Sequence, residues 1–134
     1  MTELEQYIKS YFGVIEQGDL QTISSLFRLT TIRKGDYFLK TGKPCDKLCF
    51  IQSPLLRIFI PTDGKEVTQW ISTQGYFVAD LASLVFESPS RFTIQALADC
   101  VLYVINREDY KKIGNLVPKW YELEKLFMAK CFII

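Results

Sequence analysis

Turn signals recur about every 8–12 residues through the middle of this chain, and that spacing constrains its fold more than any other feature. The clearest turn is Asp63-Gly64, where glycine accepts the positive φ that a tight hairpin needs. No helical segment between the turns is long enough for repeated β-α-β units, so an antiparallel sandwich or barrel is predicted. The predicted strands are Tyr37–Lys40, Lys47–Gln52, Leu55–Ile60, Glu66–Ser72, Arg91–Ala96 and Cys100–Asn106.

Helical periodicity flanks this β-rich region, which divides the chain into three predicted parts. Residues 1–26 form N-terminal helices, with a break at Gly18 and a second helix capped by Asp19. Residues 27–106 form a β-roll with a short inserted helix, 78–86. Residues 107–134 form C-terminal helices, the last opened by Pro118. The predicted fold class is mainly β with flanking helices.

The last helix carries an apolar stripe with spacings of three and four, and the chain ends while still apolar. Two interpretations stay open. The stripe either forms a dimer helix or docks on the β-roll of its own chain. We expect a homodimer, because large uncovered apolar surfaces usually mark interfaces. The stripe consists of Trp120, Leu123, Phe127, Cys131 and Ile134.

Composition excludes several classes of function. Histidine is absent, which removes His-dependent catalysis and imidazole-ligated metal sites, and no phosphate-binding glycine loop occurs. The four cysteines form no Cys-x-x-Cys pair, and a net charge of +1 creates no field that attracts nucleic acid. No apolar run is long enough for a bilayer, and no signal peptide is recognisable. We expect a cytoplasmic protein that is not an enzyme and binds no metal.

The insertion within the β-roll is the best candidate for a functional site, because inserted loops often carry function. The N-terminus of its helix is predicted to face an anion near Ala79 and Asp80. Asp80 is predicted either to accept hydrogen bonds from ligand hydroxyls or to cap the helix. Arg91 is predicted either to pair with a phosphate or to be a solvated charge at a strand edge.

The order of several motifs adds a resemblance that covers residues 20–128. The motifs are Phe27 with Lys34-Gly35-Asp36 and Gly42, Leu48-Cys49-Phe50-Ile51, Leu56-Arg57-x-Phe59, Asp63-Gly64-Lys65-Glu66, Gly75-Tyr76-Phe77 and Gln95-Ala96-Leu97-Ala98-Asp99-Cys100. Together they resemble the cyclic-nucleotide-binding-like sensor domain of the Crp/Fnr family of transcriptional regulators. The resemblance implies a double-stranded β-helix, or jelly roll, with a phosphate-binding cassette after Phe77 and a dimer helix at the C-terminus.

The cassette departs from the family pattern for cyclic AMP. The resemblance places the ligand-binding positions at Ala79, Asp80, Leu81, Ser90 and Arg91. Cyclic-AMP binders in the family carry Gly-Glu-Leu at the start and arginine followed by serine or threonine at the end, whereas Ser90 stands at the arginine position here. Losing that arginine removes a charge-assisted hydrogen bond of about 1.5–3 kcal/mol. We therefore expect no cofactor, and a small anion or no ligand in place of a cyclic nucleotide.

Two functional hypotheses follow. The first is a regulatory ligand-sensing domain of a Crp/Fnr-type transcriptional regulator with a degenerate cassette. Family members continue into a helix-turn-helix that reads DNA, and this sequence ends before one, so DNA binding is expected only through a segment absent from this chain. The alternative is a ligand-free interaction or dimerisation module whose pocket is filled by Phe77, Leu81, Leu84, Val85, Phe86 and Phe92.

Overall fold

The computed structural model describes the backbone of residues 1–133 and the side chains of residues 1–129. Two compact units result, one formed by Arg28–Arg107 and the other by Met1–Phe27 with the segment that begins at Glu108. In chain order the elements are α1 Glu3–Phe12, α2 Gln17–Ser24, β1 Arg28–Ile32, β2 Tyr37–Leu39, β3 Lys47–Ser53, β4 Leu56–Thr62, β5 Lys65–Ser72, β6 Phe77–Val78, α3 Leu81–Phe86, β7 Thr93–Ala96, β8 Cys100–Asn106, α4 Arg107–Leu116 and α5 Trp120–Ile133.

The β unit consists of two four-stranded antiparallel sheets. Their strand orders are β1-β8-β3-β6 and β2-β7-β4-β5. Ile51 of the first sheet and Leu56 and Ile94 of the second are at most 1% exposed, so apolar residues of both sheets form the core. The two sheets remain separate within the described chain and do not close into one barrel. The predicted fold, a mainly β jelly roll with flanking helices, is confirmed.

The predicted Asp63-Gly64 hairpin is present between β4 and β5. Asp63 and Gly64 have φ values of 46° and 77°, and the flanking residues Thr62 and Lys65 pair across the turn. Positive φ at both central positions is the geometry that suits the right-handed twist of the two strands. The sequence was sufficient to predict this turn, because its geometry depends mainly on the two central residues.

The structure corrects several predicted boundaries in the β unit. The edge strand β1 was not predicted, because four of its five residues are exposed and it lacks apolar alternation. β6 was missed as well, since it is only two residues long and forms by pairing with β3. The inserted helix begins at Leu81 and not at residue 78, and β7 begins at Thr93 and not at Arg91.

The helical unit combines both ends of the chain, which the sequence had divided into separate parts. α1 begins with a capping box, in which Thr2 and Glu5 each accept a hydrogen bond from the other's backbone N–H. Gly18 and Asp19 lie inside α2, so the predicted break and the predicted Asp19 cap are both wrong. α5 begins at Trp120, two residues after Pro118. Among the described residues, no helix is both long and apolar enough to cross a membrane.

The apolar stripe of α5 packs against α1. The Phe127 ring is 2% exposed and stacks on the Phe12 ring at 4.6 Å between centroids. Trp120 lies 5.2 Å from the same Phe12 ring, and Leu123 is buried too. α1 therefore covers Trp120 and Phe127 within the chain, so this part of the stripe is not uncovered as expected. The side chains of Cys131 and Ile134, which were assigned to the same stripe, lie outside the described residues.

Candidate functional site

The candidate site is the cassette between β6 and β7, built around the six-residue helix α3. Asp80 is the N-cap of this helix, and its Oδ1 accepts a hydrogen bond of 3.2 Å from the Ser83 N–H. At the other end Glu87 adopts a left-handed conformation, with φ of 58°, and terminates the helix. Of the two roles that the sequence left open for Asp80, the capping role is thus present.

Ser90 closes the cassette onto Asp80. Its hydroxyl donates to Asp80 Oδ2 at 2.7 Å and accepts a hydrogen bond of 3.0 Å from the Phe92 N–H. Backbone hydrogen bonds of 2.8 and 2.9 Å join Ser90 to the turn at Gly42 and Lys43, and the residue is only 2% exposed. Two residues predicted to contact a ligand are therefore bonded to each other.

The other predicted ligand-binding residues lie outside this contact. Ala79 and Leu81 are half-buried on either side of Asp80, whereas Arg91 is exposed. The Arg91 guanidinium lies 5.9 Å from the centroid of the Phe92 ring. Ser90 and Arg91 are adjacent just before β7, and Ser90 is buried whereas Arg91 is exposed. Of the two roles predicted for Arg91, its exposure is consistent with a solvated charge, and the pairing with a phosphate stays a prediction.

The electrostatics of the cassette do not favour an anion at the start of α3. The Ser83 N–H, one of the free donors of the first turn, is already occupied by Asp80. The Asp80 carboxylate carries negative charge there, and the neutral Ser90 hydroxyl is its partner from the far side of the cassette. An anion at this position would lie beside the Asp80 carboxylate, which opposes its binding, and the anion-binding helix terminus stays a prediction.

Sequence reasoning missed Ser83, a buried serine that fastens α3 to the turn before β3. Its Oγ accepts a hydrogen bond of 2.7 Å from the Cys45 N–H and donates to the Ser88 carbonyl. Burial raises the pKa of the Cys45 thiol, so this cysteine is a neutral, unreactive group beside the cassette at neutral pH. No local signal marks Ser83, because its partner lies 38 residues away in sequence.

Arg107 was missed as well, and it holds the C-terminal end of α3. Its Nε donates to the Leu84 carbonyl at 3.1 Å, and a terminal nitrogen donates to the Cys45 carbonyl. A third nitrogen lies 3.4 Å from the Glu87 carboxylate. The planar, multi-donor guanidinium suits this task, because one side chain satisfies a helix-end carbonyl and two further acceptors.

The residues expected to fill the cassette divide into buried and exposed groups. Leu84 is 2% exposed, and Phe77 packs edge-on against Phe50 at 6.0 Å. In contrast, Val85 is 48% exposed and Phe86 is 78% exposed. Two of the six predicted filling residues therefore face solvent. Within the part of the chain that the structure describes, no three acidic or cysteine side chains converge to form a metal site.

The described chain combines a two-sheet antiparallel roll with a capped helix inserted before its last two strands. The model of the cyclic nucleotide-binding domain matches residues 29–115, more than half of the chain. The chain belongs to the cyclic nucleotide-binding domain family. No curated protein sequence matches it as a relative.

Solved structures share this fold at low sequence identity. The catabolite activator protein of Thermus thermophilus is 20% identical with a TM-score of 0.78, over 91% of this chain and 57% of that one. The sensor domain of the regulator DNR from Pseudomonas aeruginosa is 20% identical with a TM-score of 0.75, over 98% and 91%. The regulatory domain of Toxoplasma gondii PKA, solved with cAMP, is 22% identical with a TM-score of 0.75, over 83% and 43%. The predicted resemblance to a cyclic-nucleotide-binding-like domain is confirmed, and its fold is that of the Crp/Fnr-type structures named here.

Proposed function

We propose that this chain is the non-enzymatic sensor domain of a cytoplasmic Crp/Fnr-type transcriptional regulator, and that it does not respond to cyclic AMP. The hydrogen bond from Ser90 to Asp80 carries the proposal. It joins the two ends of the cassette through a neutral hydroxyl where cyclic-AMP binders of the family place a guanidinium. A cyclic phosphate in this cassette would lack its cation and would face the Asp80 carboxylate.

The cassette contacts also supply a route for a signal. Ser90 holds the start of α3 through Asp80, and Arg107 holds its end at the Leu84 carbonyl. Arg107 is also the first residue of α4, where the chain leaves the β unit. A ligand that exchanges with the Asp80–Ser90 bond would therefore bias two arrangements of α3, which is what coupling between sites requires.

Calorimetric titration with cyclic AMP and cyclic GMP tests the specificity. We expect no binding of either nucleotide at low micromolar concentration. Ser90→Arg should strengthen cyclic-AMP binding by about one to two decades, because it returns a charge-assisted hydrogen bond. Ser88→Arg, which places the same charge at an exposed neighbour, is the matched control and should change nothing. Low-micromolar binding by the unmodified chain would overturn the proposal.

A ligand-free interaction module is the second candidate, and the exposure of Val85 and Phe86 favours it. Apolar side chains at the end of a short, well-fastened helix form a small contact surface. If this surface binds a partner copy, Phe86→Ser should lower the mass measured by light scattering while the melting temperature stays unchanged. An unchanged mass together with ligand-induced spectral shifts at the cassette would favour the sensor instead.

We also propose a homodimer that uses the outer face of α5, because α1 occupies its inner face. Tyr121 and Leu126 are 75% and 56% exposed, which leaves apolar surface on α5 outside the Phe127 contact. The expected solution mass is twice the 15.5 kDa of one chain. Leu126→Glu should shift the mass to that of one chain, with Lys125→Glu as the exposed control. A single-chain mass for the unmodified protein would exclude this dimer.

A further inference from the structure

A concave site lies in the β unit, away from the cassette. It is a groove of about 480 Å³ at the opening between the two sheets, and none of its lining residues belongs to residues 78–91. The volume is within the range of small-molecule sites, about 300–1,000 Å³. Its lining comes from both sheets and consists of Thr30, Thr31, Ile32, Asp36, Tyr37, Phe38, Lys40, Lys47, Leu102 and Val104.

The groove exists because the edge strands β1 and β2 belong to different sheets and do not pair. Its deepest lining is apolar. Leu102 is 1% exposed and Phe38 is 6% exposed, and Val104 beside them is half-buried. A hydrocarbon chain or ring placed on this surface would remove apolar area from water at both partners, which favours binding.

The lining of the groove includes two lysines whose ammonium groups lie over aromatic rings. Lys40 Nζ lies 4.6 Å from the centroid of the Tyr37 ring, and Lys47 Nζ lies 5.0 Å from that of Phe38. Among the described side chains, neither lysine has a carboxylate within ion-pair distance. Asp36 is the acidic residue of the lining, so two positive charges and one negative leave the lining at +1.

We infer that this groove binds a small amphiphilic carboxylate, with its apolar part on Leu102 and Phe38 and its carboxylate between Lys40 and Lys47. A carboxylate satisfies ammonium donors that have no acidic partner among the described residues, through charge-assisted hydrogen bonds. The apolar deep lining selects against small inorganic anions, which gain nothing from it. This inference does not depend on the proposed function of the cassette.

Two-dimensional ¹H–¹⁵N spectra of the whole chain, titrated with sodium hexanoate or sodium benzoate, test the inference. We expect saturable shifts that cluster at the amides of Thr30, Thr31 and Lys40, with no shifts at Asp80 or Ser90. The uncharged amides hexanamide and benzamide have the same apolar parts and should bind more weakly. Shifts confined to the cassette, equal binding of acid and amide, or no saturation would each overturn the inference.

Substitutions of single lysines test whether binding needs the two groove lysines or only a positively charged protein surface. Lys40→Gln and Lys47→Gln should each weaken the apparent Kd for benzoate about two- to five-fold, the range typical of partly exposed charge pairs. Lys43→Gln removes an exposed lysine outside the groove and should leave the Kd unchanged. Lys47→Arg keeps the charge and should retain most of the affinity. Equal weakening by Lys43→Gln would show non-specific attraction and would overturn the inference.

Discussion

Phe12 and Phe127 stack face to face, with ring planes inclined by 6° and centroids 4.6 Å apart. The contact joins the last turn of α1 to the middle of α5. Tyr11 adds an edge-on contact to the same Phe127 ring at 5.9 Å. Phe127 is therefore a core residue of the helical unit, and the apolar stripe of α5 already has its partner within the chain.

Truncation of Phe127 should consequently destabilise the helical unit. Phe127→Ala is expected to lower the free energy of unfolding by about 3–5 kcal/mol, because it deletes a buried ring and leaves a cavity. Tyr121→Ala, on the exposed side of α5, should change it by less than about 0.5 kcal/mol. Urea denaturation of both variants measures the difference. Full stability of Phe127→Ala combined with loss of a dimer would contradict the packing found here.

The Asp80–Ser90 bond should show energetic coupling between the two ends of the cassette. Ser90→Ala leaves a carboxylate oxygen and the Phe92 N–H without their partner and should cost about 1–3 kcal/mol. Asp80→Asn keeps a good N-cap but removes the charge. A double-mutant cycle of these two changes should give a coupling of about 1 kcal/mol. Additive effects would mean that the Asp80 charge contributes nothing to the hydrogen bond with Ser90.

Replacement of Arg107 should loosen α3 even if the charge is retained. Arg107→Lys cannot reproduce the separate bonds to the Leu84 and Cys45 carbonyls and the contact with Glu87, and should cost about 1–3 kcal/mol. Hydrogen exchange should become faster across α3 while the β4–β5 hairpin keeps its protection. Arg91→Lys, at an exposed position, is the control. Unchanged exchange in α3 would show that Arg107 does not fasten it.

Glu5 should make stability depend on acid pH. A hydrogen bond from the Thr2 N–H lowers the pKa of Glu5 below its ordinary value of 4.5. Because the folded pKa is the lower one, the stabilisation is complete above pH 4.5 and is lost as pH falls through the folded pKa. The unmodified chain should melt at a higher temperature than Glu5→Gln above pH 4.5, and this difference should shrink as the pH falls through the folded pKa of Glu5. A constant difference from about pH 3 to pH 7 would contradict this assignment.

The extent of successful prediction from sequence differs between the fold and the cassette. Strand β8 was predicted with its observed bounds, and the Asp63-Gly64 hairpin was predicted as well, because alternation and turn chemistry are properties of neighbouring residues. Strand β1 was not predicted, since an exposed edge strand lacks that alternation and forms only by pairing with β8. In the cassette, the sequence identified Asp80 and Ser90 as positions without showing that they bond to each other.

The sequence by itself therefore determined the class of fold and the approximate place of the inserted helix, because both depend on local spacing and residue type. Only the tertiary structure decided which side chains contact each other across long stretches of sequence. Phe127 meets Phe12 across more than 100 residues of chain, and Arg107 reaches Leu84 and Cys45 from beyond β8. Such contacts depend on which surfaces the folded backbone brings together, and spacing along the chain carries no record of that geometry.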